Sequence, residues 1–168
     1  MAVHVAKINT LTLTLTLIIL ILTFQVYADN SDLFLEKLKG VTRIDFSDGS
    51  FYQGQVAECS IELTKKTCMS GMGVYDFKAG SKYFGSFKSN KPNGNGVFAH
   101  LDGQTYKGSF KDGAINGKGI MTYPDGRRYD GDYSNNMRHG KGIMTYPDGR
   151  RYEGDYKNNM RNGYGIMT

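Results

Sequence analysis

The sequence predicts an all-β fold: an open, single-layer antiparallel meander of about ten short strands from Tyr52 onward. Three observations carry this. Most of the chain repeats itself with a period of 23 residues. Within each period, apolar and polar residues alternate over short runs bounded by Gly, Pro, Asn and Asp, as in half-buried strands joined by tight turns. The composition sets 22 Gly and 12 Tyr beside only 39% hydrophobic residues, too few for a thick two-layer core. With 9 Phe as well, the chain is too aromatic to stay unfolded in water.

The first 28 residues read as a leader. Lys7 gives a mildly positive start, Leu11–Phe24 is an uncharged run of 14 residues, and Val26-Tyr27-Ala28 puts small residues at the −3 and −1 positions of a cleavage site. That is the layout of a secretory signal peptide. The run is shorter than the ~20 residues of a membrane-crossing helix. The alternative is an uncleaved anchor reaching back to Ile8. The expected mature chain is Asp29–Thr168, exported to a periplasmic, secreted or cell-surface location. Residues 29–47 follow as a linker containing a short helix, capped by Ser31 and stopped at Gly40. It serves either as a lid over the first hairpin or as a spacer from a membrane.

Residues 48–82 are a degenerate first repeat. Asp48-Gly49-Ser50-Phe51-Tyr52-Gln53-Gly54 opens it, but its double glycine, Gly71 and Gly73, comes 19 positions after Tyr52 where later copies have 11. Eight residues have been added, and Cys59 and Cys68 lie in the stretch that holds them. In an oxidising compartment these two cysteines are a natural disulfide pair. Closing so small a loop contributes about 2–3 kcal/mol at best. Two ligands fall short of the four that a structural zinc wants, and no His stands near either Cys to make it a nucleophile.

Residues 83–168 are regular. Tyr123–Thr145 and Tyr146–Thr168 differ at four of 23 positions. The shared frame is Tyr83, Tyr106, Tyr129 and Tyr152, each with Gly at +2 (Gly85, Gly108, Gly131, Gly154) and Phe or Tyr at +4. Glycine doublets follow at +11 and +13: Gly94 and Gly96, Gly117 and Gly119, Gly140 and Gly142, Gly163 and Gly165. Alternation puts Tyr129 and Tyr133 on one face over Gly131, with Asp130 and Asp132 on the other. Gly142–Tyr146 is the second strand, Ser134–Lys141 the loop between them, and Pro147-Asp148-Gly149 the turn into the next unit. Each repeat is thus one hairpin, stable only when stacked on its neighbours.

The pattern Tyr-x-Gly-x-(Phe/Tyr)-x6-Gly-x-Gly, followed by Asp-Gly-x-x-Tyr-x-Gly, resembles the MORN (membrane occupation and recognition nexus) repeat over roughly residues 48–168. The resemblance implies an elongated, curved single-layer sheet. It also implies protein–protein contact, dimerisation and, in some members, phospholipid binding.

The net charge is +5, with 14 Lys and Arg against 8 Asp and Glu in residues 80–168. Acids sit among nearly all these bases, so a mixed-charge solvated face is expected and no nucleic acid partner. No cofactor or metal is expected either. His100 and His139 sit at non-equivalent repeat positions with no nucleophile or ligand pattern around them, and the Gly-x-Gly doublets open strands with no Gly-Lys-Ser/Thr after them. An enzyme is not expected. Two binding readings remain for the exported chain: a protein-interaction scaffold and, as the alternative, a membrane-surface module that binds anionic phospholipid. In one, an unidentified protein partner meets the aromatic face of Tyr106, Phe110, Tyr129, Tyr133, Tyr152 and Tyr156, unless that face is the array's own packing surface. In the other, Arg127, Arg128, Arg150 and Arg151 form a cationic ladder for an anionic membrane, although Arg128 shares a face with Asp130 and Asp132. The final strand, near Gly165–Thr168, is expected to be an open edge through which two copies associate, unless the array is longer than this sequence.

Overall fold

The computed structural model describes residues 4–7, 41–61 and 64–168. Twelve strands of these residues form one sheet in chain order: β1 (His4–Lys7), β2 (Thr42–Asp45), β3 (Phe51–Ile61), β4 (Thr64–Asp76), β5 (Lys82–Lys88), β6 (Lys91–Ala99), β7 (Thr105–Lys111), β8 (Ala114–Thr122), β9 (Arg128–Ser134), β10 (Met137–Thr145), β11 (Arg151–Lys157) and β12 (Met160–Met167). Every pairing is antiparallel and joins chain neighbours. The ten strands β3 to β12 are the expected meander. His4–Lys7, assigned to the leader by the sequence, pair with β2. The rest of that leader and the Ser31–Gly40 helix lie outside the described residues.

Two kinds of turn alternate along the chain. Between hairpins, Pro124-Asp125-Gly126 and its counterparts close with Gly126 N donating to Tyr123 O at 2.9 Å, and Gly126 takes a φ of 82° that L side chains resist. Within hairpins the connection is tighter than the sequence suggested. Ser134–Lys141 is not an eight-residue loop. It is a two-residue turn, Asn135-Asn136, with φ of 49° and 65°, followed directly by β10. Such primed turns match the twist of the flanking strands, and Asn tolerates positive φ better than most residues. The Asn- and Gly-rich stretch after it belongs to β10 and carries a register shift between Arg138 and Gly142. A β-bulge, rather than a loop, absorbs those residues.

The turn asparagines also tie each hairpin to the one before. Asn90 accepts from Met69 N at 2.8 Å, Asn136 from Ile115 N at 2.8 Å and Asn159 from Arg138 N at 2.9 Å, each through Oδ1. Each of these residues also donates its own N–H back, to Met69 O, Ile115 O and Arg138 O. At the remaining junction the corresponding residues are Gly113 and Pro92, and only the bond from Gly113 N to Pro92 O exists, at 2.9 Å. Proline has no N–H to give. The junction without a donor is the junction whose turn residue has no side-chain amide.

The inserted residues lengthen β3 and β4, and Cys59 and Cys68 meet across them at disulfide distance, with their Cα atoms 5.9 Å apart. They sit diagonally, Cys59 opposite Lys66 and Cys68 opposite Ala57. Cys68 is buried.

Candidate functional site

A single sheet has two faces, and here they are built for different purposes. Strand alternation puts the frame tyrosines, the +4 aromatics and the second glycine of each doublet on one of them. Tyr52, Tyr83, Tyr106 and Tyr129 are at most 1% exposed, although no second layer lies over them among the described residues. Each ring lies across two facing glycines. A Cβ at Gly131 would stand 2.6 Å from the Tyr129 hydroxyl, from Gly142 Cα and from Lys141 O, and one at Gly142 would run into the same ring. The Tyr129 hydroxyl donates to Asp132 O at 3.1 Å, and Tyr83, Tyr106 and Tyr152 bond in the same way to Ser86, Ser109 and Asp155. The accepting carbonyl belongs to the residue that the bulge leaves out of register.

The +4 aromatics then wedge edge-on between successive tyrosines. Tyr133 meets Tyr129 at 5.2 Å and 85°, and Tyr106 of the preceding repeat at 5.3 Å and 82°. Phe87, Phe110 and Tyr156 do the same in their own repeats. The result is an unbroken herringbone from Tyr52 to Tyr152, each contact worth about 0.5–1.5 kcal/mol beyond area burial. Tyr106, Phe110, Tyr129, Tyr133, Tyr152 and Tyr156 are therefore the array's internal packing and are not presented to a partner. Loss of water raises the Tyr106 phenol to about 12. For the same reason Tyr52, Tyr83, Tyr129, Tyr133 and Tyr156 rise above their ordinary value.

Sequence reasoning missed two participants. The guanidinium of Arg138 lies 5.7 Å from the Tyr129 ring centre and 5.5 Å from that of Tyr156, and Arg161 lies 4.1 Å from that of Tyr152. Both occupy the position that Pro92 and Ile115 hold in earlier repeats, so the alignment carried the signal only as a change of residue type. The turn asparagines lie in the stretch that reads as a loop in the sequence, where their bonds to the previous hairpin are not legible.

From β6 onward the opposite face is uncovered among the described residues. Val97, Ile120 and Ile143 are half-buried there and Ile166 is 69% exposed. All four arginines of the expected ladder are held by acids close in sequence: Arg127 by Asp125 at 2.7 Å, Arg128 by Asp130 at 2.8 Å, Arg150 by Asp148 at 2.8 Å and Arg151 by Glu153 at 2.6 Å. Asp132, expected beside Arg128, pairs instead with Lys118 at 2.9 Å, and Asp155 pairs with Lys141 at 2.7 Å. Bonds from the Arg127 and Arg150 backbone N–H groups hold Asp125 and Asp148 below the usual carboxylate value. His100 faces Asp102 at 2.8 Å on the exposed turn. Among the described residues no three His, Cys, Asp or Glu stand together as metal ligands.

The profile of the MORN repeat matches four successive stretches of the chain, 83–105, 106–127, 129–150 and 152–168. The chain is a MORN repeat protein. The match begins at Tyr83, so the lengthened hairpin β3–β4 lies outside it, although Tyr52, Gly54 and Gly73 repeat the ring-over-glycine packing. No curated protein is significantly similar in sequence to this MORN protein. Among solved structures it is similar to the SAS-4 (dCPAP) TCP domain of Drosophila melanogaster, in complex with a proline-rich motif of Ana2 (dSTIL). The identity is 16% and the TM-score 0.38, covering 76% of this chain and 83% of that one.

Proposed function

We propose that this MORN protein is an exported, non-catalytic scaffold whose work is to hold a protein partner. One observation carries the reading: the aromatic residues are consumed in holding the array together, which leaves the opposite face, with its half-buried aliphatic row, as the surface free for contact. Repeats of this family are interaction modules for proteins or membranes, which fits such a surface. Export rests on the leader-like residues 1–28, and an uncleaved anchor would put the same surface beside a membrane. Photo-crosslinking from position 120 or 143 in native extract, followed by mass spectrometry, tests the scaffold. A protein crosslinked from these positions but not from the turn at Asp125 supports it. Recovery of no partner, together with flotation on anionic vesicles, would refute it.

The membrane reading through Arg127, Arg128, Arg150 and Arg151 is the weaker one, because each of these cations already has a carboxylate partner and surface pairs leave little net charge. Self-association is a separate proposal. Among the described residues β12 is an edge strand, and Tyr164 and Ile166 on it are 91% and 69% exposed. A second copy pairing there would satisfy its open N–H and C=O groups. Light scattering on the chain and on Ile166→Lys tests this. A concentration-dependent dimer abolished by the substitution is expected, and a monomer in both would refute it.

A further inference from the structure

The uncovered face is not uniform, and the difference points to the chemistry of its occupant. Cross-strand register places Ile120 beside Asp130, and Ile143 between Asp130 and Glu153. Over β9 to β12 the aliphatic row is thus cut by carboxylates, and the neighbouring cations are neutralised: Lys118 by Asp132, Lys141 by Asp155, Arg128 by Asp130 and Arg151 by Glu153. Most cations of that half are closed into ion pairs, with the exposed Lys157 at the end of β11 standing outside them.

Over β4 to β8 the pattern changes. Here Val97 pairs with Phe84 and Ile120 with Lys107, and an open groove of about 530 Å³ runs across the strands, floored by Met72, Phe84, Val97 and Ile120, with Lys107 and Lys118 against a single acid, Asp130, at its β8–β9 end. Two alternations beyond Phe84 and Lys107, on the same face, stand Lys88 and Lys111, and the register sets Lys91 opposite Lys88. All three are exposed and make no ion pair with a described residue. Asp112, in the turn beside Lys111, accepts from Asn93 Nδ2 at 3.3 Å. An apolar floor therefore runs parallel to a row of uncompensated cations, and the rows lie about 13 Å apart at ~3.3 Å per residue.

We infer that this groove docks an acidic amphipathic helix of a partner protein, lying across strands β5 to β8 with its apolar stripe on Val97 and Ile120 and its carboxylates turned towards Lys88, Lys91 and Lys111. The inference rests on the scaffold reading above and names its partner's chemistry. Geometry selects a helix over an extended chain. A strand laid flat points alternate side chains up and down, so it cannot set acids beside its own apolar residues. A helix, about 10–12 Å across, places them on the flank of the apolar stripe, where the lysine row stands. Charge complementarity selects acid: three cations with no carboxylate partner among the described residues are a cost to fold together and a gain when a polyanionic flank arrives.

The test is fluorescence anisotropy on the full chain with a stapled helical peptide of about 14 residues, long enough to cross the groove at ~1.5 Å per residue. The peptide carries Leu on one stripe and Glu on the flank; controls replace Glu by Gln, or Leu by Ser. The acidic peptide is expected to bind about tenfold or more tighter than either control, with affinity falling as salt rises. The triple reversal Lys88→Glu, Lys91→Glu, Lys111→Glu should abolish the preference while leaving the melting temperature unchanged, since these side chains are exposed. Equal binding of the Glu and Gln peptides, or no effect of the reversal, would overturn the inference. So would phosphatidylserine vesicle binding that depends on these lysines while no peptide binds. A crosslinked protein partner whose capture ignores the triple reversal would leave the scaffold standing and remove this site.

Discussion

The two glycines of each Gly-x-Gly doublet are required for different reasons. The first, as at Gly140 with φ 64° and Gly163 with φ 63°, sits at the bulge in a conformation that a Cβ disfavours. The second, as at Gly142 and Gly165, has an ordinary strand conformation and is bare because a tyrosine ring lies on it. The same holds for Gly131, where a side chain would meet the facing backbone as well as the Tyr129 hydroxyl. Gly131→Val is therefore expected to destabilise by about 3 kcal/mol or more. An unchanged urea midpoint would show that the ring does not need that space. The opposite sign is expected one step along the strand. The Tyr133 hydroxyl is buried with no hydrogen-bond partner among the described residues, and Phe87 and Phe110 hold the equivalent wedge with no hydroxyl at all. Tyr133→Phe should leave stability unchanged or raise it by about 1 kcal/mol. A clear drop in melting temperature would mean that the hydroxyl is bonded.

At the scale of the hairpin, the pairing of Pro92 with Gly113 makes a quantitative claim. Gly113→Asn alone should gain nothing, since Pro92 offers no N–H to the new amide oxygen. In a Pro92→Ile background the same change should complete the latch seen at Asn136 and Ile115, with a coupling of about 1 kcal/mol. Strictly additive effects in the double-mutant cycle would contradict the latch. The hairpins themselves were legible in the sequence, because Tyr, Gly and the Asp-Gly turns recur every 23 residues and a period cannot hide. Their interiors were less so. Asn135 to Gly140 has the composition of a loop, and only the backbone shows that two of those residues turn while the rest form a bulged strand. Which face the rings serve was also out of reach. Alternation puts Tyr129 and Tyr133 together, but whether their neighbours or a partner cover them depends on a contact with Tyr106 across two strands. The arginine ladder was anticipated as partly neutralised, and Asp125 and Asp148 in the turns complete the pairing.

For the whole molecule, the tyrosine row ties stability to pH. Phenols raised in the folded chain stay protonated there when the unfolded chain has begun to ionise at about 10. The stability they contribute is therefore complete below pH 10 and is lost as pH rises towards 12 and beyond. Asp48, Asp102, Asp125 and Asp148 act in the opposite sense and more weakly, being exposed. Their folded values lie below 3.8, so what they add is present above that pH and disappears as it falls further. Urea midpoints measured across pH should show a steep alkaline fall and a shallow acid one. A flat profile between pH 10 and 12 would mean that the rings are in water.

The aromatic row is the mortar of the array, its rings buried against one another and against glycine backbone. Nitration of the folded chain under mild conditions, followed by peptide mapping, tests it most directly. Tyr164, at 91% exposure, should be modified first, while Tyr52, Tyr83, Tyr106 and Tyr129, each at 1% or less, should remain untouched until the chain is unfolded. Modification of those four at the rate of Tyr164 in the folded protein would contradict the account.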